Sequence, residues 1–223
     1  MIFLRDYICK SFHISLKKLR QWRYENYILP PDFLKHINRL PPGSLVIDVG
    51  ANVGLVTEAL ARRGLRVISF EPNSLAFSKL KGVARKFANI EIRREAAGIK
   101  NQQIKLFLHK DARRSGNDLS QASSLLNNKP NVSRDNYEIV EEIDFAGFLK
   151  SLNEPVELIK IDIEGYEIQL INHLLDEDSI RNVGCVYVET HERKFVDLSA
   201  PTNQIKERIK AGGYEKQFFF DWH

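Results

Sequence analysis

The sequence predicts an α/β fold, a doubly wound, mostly parallel sheet with an N-terminal helical extension. Three observations predict it. Leu45-Val46-Ile47-Asp48-Val49 is a nearly unbroken apolar run of strand length, a turn with glycines at 50 and 54 follows it directly, and strand-length and helix-length segments alternate thereafter. At 223 residues and 43% hydrophobic content the chain has material for one well-buried core and a short appendage. The division expected is a basic helical segment over residues 1–43 and one α/β domain over 44–223.

Residues 1–29 read as helix, because Leu4, Ile8 and Phe12, then Leu16, Leu19 and Trp22, recur at spacings of three to four beside basic side chains. Pro30-Pro31 stops it. A short helix over 32–40 and the turn Pro41-Pro42-Gly43-Ser44 lead into the first strand. The pattern then predicts helix over 53–63, strand over 66–70, helix over 74–87 and strand over 90–94. After Gly98 the rhythm breaks. Residues 103–109 read as an extra strand, and 111–136, rich in Ser, Asn, Asp and Gly, as a mobile loop over the site. Alternation resumes with strand 137–143, helix 145–152, strand 158–163, helix 166–175, strand 184–188, helix 202–211 and strand 214–220.

Composition narrows the function classes. No apolar stretch approaches the length that crosses a bilayer, and the start, Met1-Ile2-Phe3-Leu4 broken by Arg5 and Asp6, lacks the middle of a secretory signal. Cys9 and Cys185, far apart, form neither a disulfide framework nor a metal pattern, so the expected compartment is the cytoplasm. The net charge of +4 resides in residues 1–30, where six Lys or Arg face Asp6 and Glu25; the remainder is balanced. A core without a basic stripe is not expected to bind nucleic acid. The basic helix over 1–29 is instead a candidate for peripheral contact with anionic membrane or a lipid-linked glycan, against the plainer reading of a lid helix packed on the core.

Asp48-Val49-Gly50-Ala51-Asn52-Val53-Gly54 lies where the first strand turns into the first helix. Gly50 and Gly54 let the backbone bend sharply and approach a ligand, and helix N-terminal amides suit a negative group. Glu71 closes the second strand about twenty residues on, where an acidic side chain grips ribose hydroxyls in such folds. A lone Gly-x-x-x-Gly is an ordinary turn; Asp48 before it and Glu71-Pro72-Asn73 after it single this one out. A nicotinamide enzyme favours Gly-x-Gly-x-x-Gly around a pyrophosphate, but here Asn52 holds the second glycine position and Asp48 would repel phosphate. A ligand with an ammonium, a sulfonium and no phosphate fits better. That describes S-adenosylmethionine.

These segments, together with Ser123-Ser124-Leu125, the run from Ile159-Lys160-Ile161-Asp162 through Ile163-Glu164-Gly165-Tyr166-Glu167, and Val188-Glu189-Thr190-His191, resemble the FkbM family of methyltransferases from about residue 44 to 213. The run around Asp162 is the distinctive one. The resemblance implies a Rossmann-like class I methyltransferase fold, S-adenosylmethionine as methyl donor, O-methylation, and sugars, glycans or other small natural products as acceptors. By position it implies that Asp48, Gly50, Asn52 and Gly54 face the methionine part, Glu71 the ribose, Pro72 and Asn73 the adenosine, and that Glu95 and Ala96 border the adenine. Two features depart from the family: the basic N-terminal helix lies outside the match, and the chain after residue 213 leaves little room for a final antiparallel strand. Either Phe218-Phe219-Phe220 closes the sheet or one strand is missing.

In an open α/β sheet the ligand lies outside the carboxyl ends of the strands. Two such ends carry a polar load: Asp162 and Glu164 at one, Glu189, His191 and Glu192 at the other. Methyl transfer is an in-line displacement at a carbon activated by sulfonium, so the protein must align the acceptor oxygen and help remove its proton. Asp162, Glu164, Glu189 and His191 are the candidate catalytic residues. Either one acts as general base, the preferred form, or together they hold Mg²⁺ or Mn²⁺, which lowers the acceptor's pKa. The Asn/Asp-Pro-Pro-aromatic turn expected for attack by a base nitrogen is absent, which favours oxygen. Lys160 reads as a solvated or sheet-edge lysine. The alternatives are a nicotinamide-dependent oxidoreductase, for which no Tyr-x-x-x-Lys pair is found, and a non-catalytic binding module that kept the pocket.

Overall fold

The computed structural model describes residues 29–109, 132–192, 196–220 and Trp222. The expected helix over 1–29, apart from Leu29, the Ser-Ser step at 123–124 and most of the expected loop over 111–136 lie outside the described residues. A boundary falls between Arg39 and Leu40. On its N-terminal side, α1 (Pro31–Ile37) starts with a proline in its first turn, where the missing N–H costs nothing, and buries Phe33 and Ile37 four residues apart.

The second unit is built on a six-stranded sheet. Its strands are β1 (Leu45–Val49), β2 (Arg66–Phe70), β3 (Ile90–Arg93), β7 (Val156–Ile161), β8 (Val183–Val188) and β9 (Phe218–Phe219), ordered β3-β2-β1-β7-β8-β9 with every pairing parallel. All five residues of β1 are buried, as befits a central strand covered on both faces. The helices are α2 (Leu55–Ala61), α3 (Ser74–Ala84), α4 (Phe145–Ser151), α5 (Glu167–Asp176) and α6 (Ser199–Ala211). Side chains of the sheet, including Ile47, Phe70, Ile159, Ile161 and Val186, join Phe145 of α4, Leu170 and Leu174 of α5 and Ile205 of α6 in one core. Helix starts follow local chemistry: the Asn73 side chain accepts from the Leu75 and Ala76 amides, and Asp144 accepts from Gly147 N.

The sheet departs from expectation in two places. Strand 137–143 does not rejoin the main sheet. It is part of β6 (Val132–Asp144), which pairs antiparallel with β5 (Gln102–His109) and parallel with β4 (Glu95–Gly98) in a second, three-stranded sheet. The reason is visible along β6, where exposed Tyr137, Ile139 and Glu141 alternate with buried Val140 and Glu142; a two-faced strand of this kind cannot serve at a centre buried on both sides. The second concerns the last strand. Phe218–Phe219 pairs parallel with β8, and no antiparallel strand closes the main sheet among the described residues. No helix of the described residues is long and apolar enough to cross a membrane.

The chain winds outward from β1 through β2 to β3, then returns to the other side of β1 to lay down β7, β8 and β9. The winding reverses between β1 and β7. In sheets of this kind the ligand crevice lies at such a reversal, beyond the carboxyl ends of the strands, and the candidate site residues come from the turns at those ends.

Candidate active site

After β1 the chain makes two left-handed steps, Gly50 (φ 78°) and Asn52 (φ 50°), before Gly54 (φ 88°) caps α2. Gly50 is required: a Cβ there would lie 1.8 Å from the Asp162 carbonyl oxygen. Gly54 is required for packing, since its Cβ would press on Leu80 and Val83 of α3. The Ala51 methyl is buried with Phe77 and Leu80. The amides of this turn are occupied from within. Gly50 N and Ala51 N both donate to the Phe70 carbonyl, and Asn52 N donates to Glu71 Oε2 at 2.8 Å. The anion cradle expected of these amides is therefore not formed by these three, and a pyrophosphate would find none of them free.

Glu71 stands at the end of β2, almost fully buried, with Oε1 accepting from Asn73 N at 2.8 Å. Two backbone amides thus fix both oxygens, and each oxygen keeps further acceptor capacity for a ligand hydroxyl. Burial pushes the Glu71 carboxyl up to about 7, against the pull of the Asn73 and Asn52 amides and Lys160. Pro72 is half-buried beside it.

Other sequence-predicted cofactor residues turn inward. Asp48 is fully buried, Oδ2 accepting from the Thr57 hydroxyl at 2.7 Å and Oδ1 lying 3.5 Å from Lys160 Nζ. Its charge is matched by that ammonium, so the repulsion of phosphate expected of it is offset. The Asn73 side chain caps α3, Glu95 pairs with Arg93 at 2.8 Å, and the Ala96 methyl is buried with Leu106 and Val140.

Lys160 is the main correction. Expected to be solvated or at a sheet edge, it sits on β7 in the middle of the sheet, 3% exposed. Its ammonium donates to the Gly50 carbonyl at 3.0 Å and to Asp162 Oδ2 at 3.3 Å. One side chain therefore ties the turn after β1 to the polar end of β7. Strand alternation could have signalled it, because the position opposite an inward Ile161 in a strand buried on both faces is also interior.

Past β7 the chain turns sharply, with Glu164 at φ 55° and Gly165 at φ 104°. A left-handed glutamate costs on the order of 1 kcal/mol, and such strain persists where the surroundings enforce it. Here the buried Glu167, first residue of α5, enforces it: its Oε1 accepts from both Ile163 N and Gly165 N at 3.0 Å. The same oxygen lies 3.1 Å from His191 Nδ1. Nε2 of that ring faces Glu164 Oε2 at 3.4 Å and Asp162 Oδ1 at 3.8 Å. Burial favours a neutral ring, but Glu164 and Glu167 outweigh it and push His191 up to about 10. Without a competing cation the ring then keeps a proton at neutral pH and lacks the lone pair a general base needs.

Three of the four expected catalytic residues thus converge. Glu189 stands one residue past β8 with its amide donating to the Ile161 carbonyl, while the carboxylates gathered on the ring are Asp162, Glu164 and Glu167. Glu167 was not singled out from the sequence; its place three residues after Glu164, able to reach back to the turn amides, is the signal.

The FkbM methyltransferase domain model matches residues 48–216, most of the chain and every residue of this site. The chain belongs to the FkbM methyltransferase family. It resembles a ribosomal RNA small subunit methyltransferase A from Thermotoga petrophila, 33% identical over 91 residues, covering 40% of this chain and 34% of that protein. It also resembles Methyltransferase 1 of Beauveria bassiana, 25% identical over 160 residues, 64% of each. The chain thus spans between 34% and 64% of the length of these curated relatives. Among solved structures, a ribosomal RNA methylase from Streptococcus thermophilus is 14% identical with a TM-score of 0.40, covering 78% of this chain and 80% of that one. A precorrin-6y C5,15-methyltransferase from Geobacter metallireducens is 11% identical with a TM-score of 0.41, covering 82% and 73%.

Proposed function

We propose that this FkbM-family chain is an S-adenosylmethionine-dependent methyltransferase acting on a hydroxyl of a sugar, glycan or other small natural product. One observation carries the reading. Lys160 Nζ holds both the Gly50 carbonyl and Asp162, so the turn suited to the cofactor and the carboxylate cluster suited to an acceptor sit side by side at the reversal of the sheet. Glu71, fixed by two amides, is the ribose anchor, and the internally bonded amides of Gly50, Ala51 and Asn52 disfavour a pyrophosphate cofactor.

In the reaction the acceptor oxygen forms a bond to the methyl carbon as the carbon–sulfur bond breaks. The electron pair of that bond stays on sulfur, giving the uncharged thioether, and the hydroxyl proton passes to a carboxylate among Asp162, Glu164 and Glu189. Placement of the acceptor in line with the carbon–sulfur bond supplies most of the acceleration, and proton removal contributes about 10²- to 10⁴-fold. The test is incubation of the full chain with methyl-labelled S-adenosylmethionine and fractionated metabolites and glycans. Labelled methyl on a product oxygen, by mass spectrometry, is the expected result; label appearing solely on carbon, nitrogen or nucleic acid would refute the hydroxyl assignment.

A further inference from the structure

We propose that Asp162, Glu164 and His191 form a binding site for one divalent first-row transition ion, with Glu167 as the carboxylate that orients the imidazole. Three observations meet there. The His191 side chain is fully buried, and neither ring nitrogen meets a partner in hydrogen-bonding geometry. A buried polar atom left so costs about 1 to 3 kcal/mol, which a ligand at Nε2 would remove. Nε2 is aimed between two carboxylate oxygens, and one donor atom from each of the three residues lies within 4.8 Å of the others. An ion about 2.1 Å from each donor sets neighbouring donors about 3.0 to 3.5 Å apart, so the 3.4 and 3.8 Å to His191 need only a slight contraction, while the two carboxylates, within 4.8 Å of each other, must close further by side-chain rotation. Finally, three carboxylates surround one imidazole, and the Lys160 ammonium beside Asp162 is shared with Asp48, which leaves a local excess of carboxylates that a divalent cation would offset.

The far nitrogen supports the same assignment. Nδ1 stands 3.1 Å from Glu167 Oε1, and a ligating histidine characteristically gives its other N–H to a carboxylate, which fixes the ring and the tautomer. Glu167 is itself immobilised by the amides of Ile163 and Gly165, and the left-handed Glu164 is held in place by that same turn. One nitrogen and two carboxylates suit Mn²⁺, Fe²⁺ or Zn²⁺ better than Mg²⁺ or Ca²⁺, which favour oxygen alone. This reverses the order reached from sequence, where a metal-free base is preferred. That the ion would polarise the acceptor hydroxyl rests on the O-methylation reading; the ion site itself rests on geometry.

The experiment is titration of Mn²⁺ into metal-stripped full-length protein, followed by the loss of the free-ion signal in electron paramagnetic resonance. One ion per chain is expected. Glu164→Gln should weaken uptake roughly tenfold or more while circular dichroism and thermal melting stay as in the parent, and Asp162→Asn should weaken it as much with circular dichroism unchanged and a lower melting point, because it takes a charge from Lys160. His191→Gln should abolish uptake, and because that ring is buried and could disturb folding, the two carboxylate variants decide the matter. No uptake up to about 1 mM Mn²⁺, or unaltered uptake in both carboxylate variants, would overturn the site. Labelled-methyl transfer in the same samples separates the two proposals. Ion uptake without oxygen methylation leaves the site standing and removes its proposed reaction, whereas oxygen methylation in chelator without ion uptake does the reverse.

Discussion

At the carboxyl ends of β1 and β2 the turn amides are satisfied from within the protein, whereas at the ends of β7 and β8 a buried imidazole lies among carboxylates without a hydrogen bond of good geometry. Gly50, Ala51 and Asn52 give their amides to Phe70 and Glu71, and Asp48 Oδ2 accepts from Thr57, while its buried Oδ1 has the Lys160 ammonium at 3.5 Å and no hydrogen bond. Across the crevice, the His191 nitrogens sit among three carboxylates with no hydrogen bond of good geometry. The difference teaches that the first end is organised before any ligand arrives and presents little beyond Glu71 to it.

The largest effect should come from the residue that belongs to both ends. Replacing Lys160 by Met removes the ammonium between Asp48 and Asp162 and leaves two carboxylates uncompensated, one fully buried and one partly. Breaking a buried pair in this way costs about 3 to 5 kcal/mol. Urea denaturation is the measurement, and a loss well under 1 kcal/mol would mean that the two ends are not coupled through this side chain.

Next in size is Glu71→Ala, which should weaken S-adenosylmethionine binding by about 1.5 to 3 kcal/mol, read by titration calorimetry. A pH series sharpens it. Because ribose hydroxyls donate to the charged carboxylate, affinity should climb as pH rises toward about 7 and level off above, and Glu71→Gln should flatten that dependence. Stability of the free protein should move oppositely. The folded carboxyl holds its proton up to about 7 while the unfolded one loses it near 4.5, so this group's contribution is full below 4.5 and is lost as pH rises through 7. An affinity insensitive to pH over that window would separate Glu71 from the cofactor.

The smallest is Asn73→Ala. Loss of the cap on α3 should cost about 1 kcal/mol of stability with little change in cofactor affinity. A large affinity loss at unchanged stability would instead return Asn73 to the adenosine-facing role that the family resemblance implies.

Sequence patterning reaches the main sheet because its strands are buried on both faces, and the helices between them keep their apolar spacing. It reaches the second sheet only in part, since the strands expected over 103–109 and 137–143 are β5 and part of β6 but their partnership is not legible. Residues 95–98 are too short and too plain to read as a strand, and β6 carries an alternation that local pattern alone cannot assign to one sheet or another. In the site, Asp162, Glu164 and His191 are legible as polar residues at strand ends. Which of them meet is not, because that depends on the left-handed step at Glu164 and on Glu167 reaching back to the turn. Lys160 shows the converse difficulty: a charged residue in a strand reads as exposed until its partners, 112 and 2 positions away at Asp48 and Asp162, are known.

The proposed function requires that the turn beside Gly50 receive S-adenosylmethionine and not a dinucleotide. Parallel calorimetric titrations with S-adenosylmethionine, S-adenosylhomocysteine and NAD⁺ test it most directly. One adenosyl ligand per chain is expected for the first two, weakened in Glu71→Ala, with no heat of binding from NAD⁺. NAD⁺ bound as tightly as S-adenosylmethionine, or neither adenosyl ligand bound at millimolar concentration, would contradict it.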